Sequence, residues 1–361
     1  MARVKTRGIY DKKLVYEKLY AAWNTVLHTC KNKQGLFEFS MFGHARVARL
    51  LEELKKRRYY PNKYRCFMIF EPKPRLVMSQ SIRDKVVNHF VAREYLIPLL
   101  EKSLVDTNVA TRKKLGASKA REYLKRYISQ MWAERPGAKI YALKVDISKY
   151  FYTIDHEILF EKLERRIKDR DVIELLRRIV NETNKPYINQ VVDMFNRRYG
   201  ADIPHYEQGK GLSIGAMTSQ FLAIYYLNDL DHYIKEELQC KYYIRYMDDF
   251  LVLGHDKKEL SRIQDVIEKE LAKLKLKMNP KTDIYDCMNG GGFGFLGYRY
   301  YVTEKGVMRA VCLSRTIRRV KSRLAMLKVH DYEKFLRSYE AYRGYFMYSE
   351  PVIKMESVAI K

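Results

Sequence analysis

Two adjacent aspartates, Asp248 and Asp249, are the residues of this chain that most clearly suggest chemistry. Apolar residues that favour β-strands flank them on both sides, at positions 242–244 and 250–253. Placing two charges in such surroundings is costly unless they bind a partner. Neighbouring side chains of a tight hairpin point to opposite faces, so one carboxylate can contact a metal ion while the other lies beside it. The pair therefore predicts a site that holds Mg²⁺ over a phosphate.

A third aspartate, Asp146, ends the hydrophobic segment 140–145, about a hundred positions before the pair. Taken alone, an aspartate at a strand end is most often a turn former. Phosphoryl transfer to a growing strand, however, uses two metal ions about 4 Å apart that are held by carboxylates from separate parts of a chain. If the two hydrophobic strands lie side by side, Asp146, Asp248 and Asp249 can supply these ligands.

The overall charge indicates a polyanionic partner. The chain has 361 residues and a formal net charge of +26, which suits a nucleic acid because each neutralised phosphate releases a counterion. A membrane surface is the competing interpretation, but the longest uncharged stretch, 211–228, contains Ser, Thr, Gln and Asn, so no transmembrane segment is predicted. The 30 tyrosines offer stacking faces for bases, although most of them could simply pack with the hydroxyl at the surface.

The termini and cysteines add two expectations. Residues 1–13 are charged from Arg3 onward and lack the apolar core of a secretory signal, which predicts a cytoplasmic protein. The five cysteines are scattered without a Cys-x-x-Cys pattern, so we expect reduced thiols and neither disulfides nor a zinc site.

Hydrophobic periodicity predicts the elements that must position the aspartates. Strands are expected at 66–70, at 140–145, on both sides of the aspartate pair and in short segments up to Tyr301. Helices are expected within 9–60, at 83–100, from an N-cap at Asp155 to Ile167, at 218–234, at 257–274 and at 314–350. This order favours an α+β fold in which helices cover one face of an antiparallel sheet.

A basic run occupies residues 315–328, with six basic residues and no acid. Such a run is either a solvated helix face or a surface that follows a nucleic-acid backbone.

Two segments, 144–151 and 245–249, resemble the two metal-binding motifs of reverse transcriptases. Four more resemble other motifs of that family: residues 72–75 the first fingers motif, 108–113 the second, 279–282 the motif after the catalytic hairpin, and 295–298 the primer grip. The six segments follow the family order over about 65–300.

The resemblance implies a right-hand polymerase with fingers, palm and a small thumb. The corresponding domains are 1–138 for the N-terminal helices and fingers, 139–304 for the palm with a helical insertion around 184–209, and 305–361 for a basic helical thumb. It also implies two Mg²⁺ ions, for which Mn²⁺ is a possible substitute.

The resemblance assigns roles to named residues. The catalytic set is Asp146, Asp248 and Asp249, and the metal-binding set is the same three residues with Ile147. The nucleotide-binding set is Lys73, Arg75, Arg112, Phe151, Ile214, Gly215, Gln220 and Lys281. The primer- and template-binding set is Tyr246, Met247, Phe295, Leu296, Gly297, Tyr298, Arg315, Arg318 and Arg319. Cations of the second set would offset charge on the triphosphate, and the Phe151 ring would exclude a ribose 2′-hydroxyl unless it is simply a core aromatic.

Residues 214–220 resemble the corresponding segment of reverse transcriptases from diversity-generating retroelements. Where other reverse transcriptases generally have Gln, this chain has Ile214, which removes a hydrogen-bonding side chain from beside the nascent base pair and predicts low fidelity. The resemblance further implies errors at template adenines and a product that rewrites a target gene. Two departures are the long segment 184–209 and Ala216, where many relatives have Asn or Ser.

Three functions remain open from the sequence. The first is an active RNA-dependent DNA polymerase that makes error-prone cDNA for sequence diversification. The second is a bacterial antiviral or intron-type reverse transcriptase. The third is a maturase-like RNA-binding protein that performs no synthesis. The expected partners are template RNA, the RNA–DNA hybrid and dNTPs, with a small basic accessory protein implied only by the subgroup and no membrane.

Overall fold

The structure is a computed structural model and describes residues 8–70, 73–288, 290–355 and 358. These residues form helices and three antiparallel sheets, which confirms the predicted α+β class. The α-helices are α1 (Ile9–Lys13), α2 (Tyr16–Thr29), α3 (Lys33–Ser40), α4 (Gly43–Lys55), α5 (Ile82–Val91), α6 (Ile97–Leu100), α7 (Ala117–Glu134), α8 (Tyr150–Thr153), α9 (His156–Arg166), α10 (Arg170–Asn181), α11 (Pro186–Tyr199), α12 (Met217–Tyr226), α13 (Asn228–His232), α14 (Lys257–Lys273), α15 (Ser314–His330) and α16 (Tyr332–Phe346). The strands are β1 (Arg65–Ile69), β2 (Arg75–Ser79), β3 (Tyr141–Val145), β4 (Tyr243–Tyr246), β5 (Asp249–Gly254), β6 (Asp283–Asp286), β7 (Phe293–Phe295), β8 (Tyr298–Val302) and β9 (Met308–Cys312).

The chain divides into two compact units. The first unit comprises the described residues of Met1–Asp106 together with Ile147–Tyr233 and Lys269–Lys277. The second unit comprises Thr107–Asp146, Ile234–Glu268 and the described residues of Met278–Lys361. The domain boundaries 1–138, 139–304 and 305–361 stay predictions.

A four-stranded sheet with the order β4-β5-β3-β6 is the centre of the second unit. One face of α7 is apolar at helical spacing, and it packs on this sheet because both surfaces are hydrophobic. The three-stranded sheet β7-β8-β9 and the helices α15 and α16 contribute to the same core. Buried members of this core include Leu124, Ile128, Met131, Ala142, Ile244, Leu251, Leu253, Phe293, Val320 and Phe346.

The first unit contains the strand pair β1-β2 and a small core on one face of that pair. Alternate residues of the two strands, Leu76 and Met78 among them, pack against Ile188 and Val192 of α11. The range 184–209, predicted to be a helical insertion, contains the helix α11, while its status as an insertion stays a prediction.

The predicted helices at 83–100 and 218–234 are each interrupted. The first contains a π-helical turn, Ala92–Leu96, before α6, because Pro98 has no N–H to continue the regular hydrogen-bond ladder. The second breaks at Leu227, whose φ of −90° and ψ of 5° separate α12 from α13, and it is followed by a π-helical turn, Tyr233–Glu237.

The segment 305–361, expected to be a basic helical thumb, also contains a strand that was not predicted. Met308–Cys312 forms β9, which pairs with β8 and buries alternate residues such as Ala310 and Cys312. The helix predicted at 314–350 is also two helices, because Asp331 accepts a hydrogen bond from Lys334 N at 3.0 Å and caps α16.

The predicted cap of α9 is confirmed. Asp155 is the N-cap of α9 and accepts a hydrogen bond from Ile158 N at 3.1 Å. All five cysteines are free thiols. None of the helices among the described residues is both long and apolar enough to cross a bilayer.

Candidate metal and nucleotide site

The three aspartates converge at one end of the four-stranded sheet. Strands β3 and β5 are antiparallel, with Val145 opposite Phe250, so the next pair in register brings Asp146 opposite Asp249. Side chains alternate along a strand, and Lys144 therefore lies on the same face as these two carboxylates. The pairing of the two hydrophobic segments, on which the predicted metal site depends, is what the structure shows, while the metal-binding role of the three aspartates stays a prediction.

The second member of the pair, Asp248, lies in the turn between β4 and β5. Tyr246 pairs with Asp249, which leaves Met247 and Asp248 as a two-residue loop, and Met247 has a φ of 60°. Arg245 is fully buried, and its Nη1 donates to the Met247 carbonyl at 2.8 Å. The guanidinium thus stabilises a turn whose backbone a non-glycine residue rarely adopts.

Asp249 carries an unusual electrostatic load. The pKa of Asp249 is raised to about 7, mainly because the carboxyl is buried; the charge of Lys144 lowers it, and the negative charges of Asp248 and Asp146 contribute to the rise. The Lys144 Nζ lies 3.5 Å from Asp249 Oδ2. The other oxygen, Oδ1, is buried and has no hydrogen-bond partner within the described part of the chain.

The carboxylates fit a divalent metal ion, although they do not form a preformed cage. No group of three or more His, Cys, Asp or Glu side chains among the described residues is close enough to hold a metal as it stands. Three carboxylates without a cation repel one another, and Lys144 neutralises only part of the charge. The orphaned Oδ1 of Asp249 and the oxygen-only donor set are what Mg²⁺ requires.

Residues 279–282 hold the backbone of Asp146. Asn279 N donates to the Asp146 carbonyl at 2.8 Å, and Asp146 N donates to Thr282 Oγ1 at 3.3 Å. The residue predicted from this motif, Lys281, has an exposed side chain, and its contact with a nucleotide stays a prediction.

The predicted primer grip is a second two-residue turn, between β7 and β8. Phe295 pairs with Tyr298, while Leu296 and Gly297 have φ values of 46° and 90°. Tyr345 of α16 donates from its hydroxyl to the Gly297 carbonyl at 2.9 Å, and Tyr298 donates in return to the Tyr345 carbonyl. A helix from the end of the chain therefore fixes this turn.

Two further predicted groups lie in the second unit. Arg112 donates to the Asn108 carbonyl at 3.0 Å, within its own motif. On α15, Arg315 and Arg318 are exposed and Arg319 is half-buried, because Val320, Leu324 and Leu327 occupy the buried face. The basic run is thus the solvent-facing side of an amphipathic helix.

The remaining nucleotide-binding candidates lie in the first unit. Lys73 and Arg75 are exposed, at the start of β2, while Pro72 of the same motif lies outside the described residues. Met78 N of β2 donates to the Ile214 carbonyl at 3.0 Å. The segment that contains Ile214 is thereby attached to the strand that begins with Arg75.

Local geometry also constrains the other members of this set. Gly215 has a φ of 118°, and a Cβ there would lie 3.2 Å from Val77 Cγ1, so only glycine suits the position. Phe151 is half-buried on α8 and Gln220 is exposed on α12. Ile147 has a side chain only 2% exposed, so its backbone carbonyl is the group that a metal could use.

Sequence reasoning missed five residues that support the site. Lys144 could have been found, because it lies two positions before Asp146 in a strand and must share its face. Asn279, Thr282 and Arg245 belong to segments that were recognised, but their contacts depend on the fold. Nothing local marks Tyr345.

Comparison with protein families gives a match to reverse transcriptase (RNA-dependent DNA polymerase) over residues 63–300. This range covers more than half of the chain and contains all six motif-like segments. It confirms the predicted family and the right-hand polymerase fold that accompanies it, while the diversity-generating subgroup stays a prediction. A search of curated proteins gives no match.

Similar solved structures include telomerases of two yeasts. Telomerase from Candida albicans in complex with a TWJ fragment of telomeric RNA is 12% identical over 75% of this chain and 52% of that chain, with a TM-score of 0.48. Apo telomerase from Candida tropicalis truncated from its C-terminal domain is 12% identical over 74% and 60%, with a TM-score of 0.48. The apo telomerase of Candida tropicalis is 13% identical over 74% and 52%, again with a TM-score of 0.48. The chain thus spans little more than half the length of these telomerases.

Proposed function

Because this chain belongs to the reverse transcriptase family, we propose that it is an active RNA-directed DNA polymerase that copies a template RNA by two-metal phosphoryl transfer. The observation that carries the proposal is the convergence of Asp146 and Asp249 on paired strands, with Asp248 in the adjoining turn. A retired site has no reason to keep three carboxylates together at the cost of a strongly raised pKa.

In this proposal Asp146, Asp248 and Asp249 hold two Mg²⁺ ions, and Mn²⁺ can replace them. The metal ions supply charge for the attacking and leaving oxygens of the phosphoryl transfer. The chain's own residues do the rest. Asn279 and Thr282 fix the Asp146 backbone, Arg245 fixes the turn at Met247, and Lys144 offsets part of the charge of Asp249. Lys73, Arg75, Arg112 and Lys281 are the cations for the dNTP triphosphate.

The test is primer extension on an RNA template with Mg²⁺ and dNTPs. The double variant Asp248→Ala/Asp249→Ala should lose at least about 10³-fold in rate, because both metal ligands of the hairpin are removed. Asp265→Ala, which removes an exposed carboxylate from α14, serves as the control and should extend normally. Salt-dependent RNA binding without any incorporation by the unaltered protein would instead favour the maturase-like function.

We further propose that synthesis is error-prone and serves sequence diversification, which the segment around Ile214 supports. Ile214 is half-buried and its carbonyl is engaged by Met78 N, so an apolar side chain occupies a fixed position where a Gln amide would offer hydrogen bonds. Sequencing of cDNA made from a defined RNA should show frequent errors, concentrated at template adenines, and Ile214→Gln should reduce them. Faithful copying by the unaltered protein would remove this proposal and leave the antiviral or intron-type enzyme. The proposed location is the cytoplasm, and a small basic accessory protein belongs only to the diversifying function.

A further inference from the structure

A cavity of about 320 Å³ lies in the first unit, and none of the residues assigned to the polymerase reaction lines it. Side chains of α3 and α4 and one from the start of α5 surround the cavity. They are Phe39, Arg46, Arg49, Leu50, Glu53 and Arg83. This volume is at the lower end of the range of small-molecule sites, roughly 300–1,000 Å³. The cavity therefore has room for one small ligand.

The lining combines an apolar floor with arginines. Arg46, Arg49 and Leu50 lie three and four positions apart on α4 and therefore share one face of that helix. Leu50 is buried, as is Phe39 of α3. The Phe39 ring packs against the Trp23 ring with centroids 4.6 Å apart, which fixes its position. A ligand in this cavity would meet an aromatic ring and an aliphatic side chain beneath two guanidinium groups.

Positive charge exceeds negative charge around the cavity. Arg83 pairs with Glu53 and with the buried Asp84. Arg49 shares the same Glu53, with Nε 3.6 Å from Oε1. Arg46 is exposed and has no carboxylate partner in the part of the chain that the structure describes. Three guanidinium groups thus share two carboxylates, and the charge that is left lies on the α4 side of the cavity.

We propose that this cavity binds a nucleoside monophosphate, with the base on Phe39 and Leu50 and the phosphate on Arg46 and Arg49. A phosphate monoester has a charge of about −1.5 to −2 at neutral pH, and the guanidinium fork binds its oxygens in pairs. The Arg46 guanidinium already lies 5.5 Å from the centroid of the Phe39 ring. The Arg49 side chain is 85% exposed, so it can turn toward a ligand.

This site goes beyond the proposed polymerase function. A nucleoside monophosphate has no pyrophosphate to release, so it is not a substrate for strand synthesis. Its binding can be measured in EDTA and without nucleic acid, where synthesis does not occur. An inactive protein that binds the monophosphate through Arg46 and Arg49 would retain this proposal, and an active polymerase that binds none would lose it.

The experiment is isothermal titration calorimetry of the full chain with adenosine monophosphate (AMP) in EDTA. Arg46→Gln should weaken AMP binding about 10-fold, and Arg46→Gln/Arg49→Gln at least about 50-fold, because charge-assisted hydrogen bonds to the phosphate are lost. Glu53→Gln should strengthen AMP binding about threefold, because the carboxylate that competes for Arg49 is removed. Lys73→Gln/Arg75→Gln, which removes two cations proposed for the dNTP, should bind AMP as the unaltered protein does.

Two further ligands and one control variant make the test specific. Adenosine and inorganic phosphate should each bind at least about 10-fold more weakly than AMP, because each contacts only half of the site. Arg58→Gln removes an exposed charge just after α4 and should change AMP affinity by less than about twofold. Absence of AMP binding, equal affinity for AMP and for either further ligand, or equal losses in Arg46→Gln and Arg58→Gln would each overturn the proposal.

Discussion

Two tight turns of the second unit have similar backbones and opposite electrostatic states. The turn at Met247 and Asp248 and the turn at Leu296 and Gly297 each join antiparallel strands through two residues. Each also places a bulky residue in the left-handed region, with φ values of 60° at Met247 and 46° at Leu296. Such backbone geometry costs on the order of 1 kcal/mol or more at a non-glycine residue.

The two turns differ in how the fold meets their demands. At the second turn, Tyr345 and Tyr298 exchange hydrogen bonds across the loop and leave it internally satisfied. Beside the first turn, Asp249 keeps a buried oxygen without a partner in the described part of the chain, and three carboxylates share one end of the sheet. Similar backbone strain therefore accompanies two different roles. The second turn is part of the structural framework, and the first turn is, in our proposal, part of a metal site.

The largest effect on stability is expected from a substitution in the turn at Leu296 and Gly297. A Cβ at Gly297 would overlap the Tyr345 hydroxyl, and the φ of 90° is unfavourable for any residue with a side chain. Gly297→Ala should therefore lower the free energy of unfolding by about 3 kcal/mol. Chemical denaturation measures it.

Gly294 provides the matched control for that change. It lies three residues earlier in β7, and the nearest atom to a Cβ there is 4.0 Å away. Gly294→Ala should change stability by no more than about 0.5 kcal/mol. Similar losses in both variants would mean that the Tyr345 contact does not distinguish this turn.

The second-largest expected effect is the pH dependence of stability that the buried Asp249 carboxylate causes beside the first turn. The pKa of Asp249 is raised to about 7 from 3.8, so the folded state keeps a proton that the unfolded state loses. Stability is therefore lost as pH rises from about 4 to 7 and stays low above that range. At pH 8 in EDTA, the free energy of unfolding of Asp249→Asn should exceed that of the unaltered protein by about 2 kcal/mol. This difference should vanish at pH 4.

Added Mg²⁺ should reverse the order of stability of the unaltered protein and Asp249→Asn. Metal binding stabilises only the protein that has the intact carboxylates, so added Mg²⁺ should raise the melting temperature of the unaltered protein more than that of Asp249→Asn. Asp265→Asn should show neither the pH-dependent gain nor an altered response to Mg²⁺. A pH-independent effect of Asp249→Asn would contradict the buried-charge interpretation.

The smallest effect is expected when one hydrogen bond is removed from the turn at Leu296 and Gly297. Tyr345→Phe deletes the donor to the Gly297 carbonyl and should cost about 1 kcal/mol of stability. Tyr342→Phe is the control, since the Tyr342 hydroxyl has no hydrogen bond among the described residues. If the two changes are equal, the hydroxyl of Tyr345 does not hold the turn.

The sequence predicted the α+β class, the paired strands around Asp248 and Asp249, and the cap at Asp155, because each depends on local periodicity or on one short motif. It did not predict β9 or the break before α16. The strand β9 has only five residues and directly precedes the helix that carries the basic run. Asp331, the N-cap of α16, lies within the range that was predicted as one continuous helix.

The parts of the site that could not be predicted are long-range. Tyr345 reaches Gly297 from 48 positions away, and the raised pKa of Asp249 depends on burial that only packing determines. The pairing of the two aspartate-bearing strands followed from their hydrophobic pattern, whereas the groups that hold the aspartate backbones did not.

The bonds from residues 279 and 282 to Asp146 have a consequence for biosynthesis. The Asp146 amide is fixed by a hydroxyl 136 positions later in the chain, so this end of the sheet cannot mature on the ribosome until Thr282 has emerged from the exit tunnel. A nascent chain that has made β3 and β5 but not residues 279–282 already contains all three aspartates. It lacks the hydrogen bonds that hold the Asp146 backbone. In our proposal, the catalytic site therefore reaches its final geometry only after Thr282 has been made.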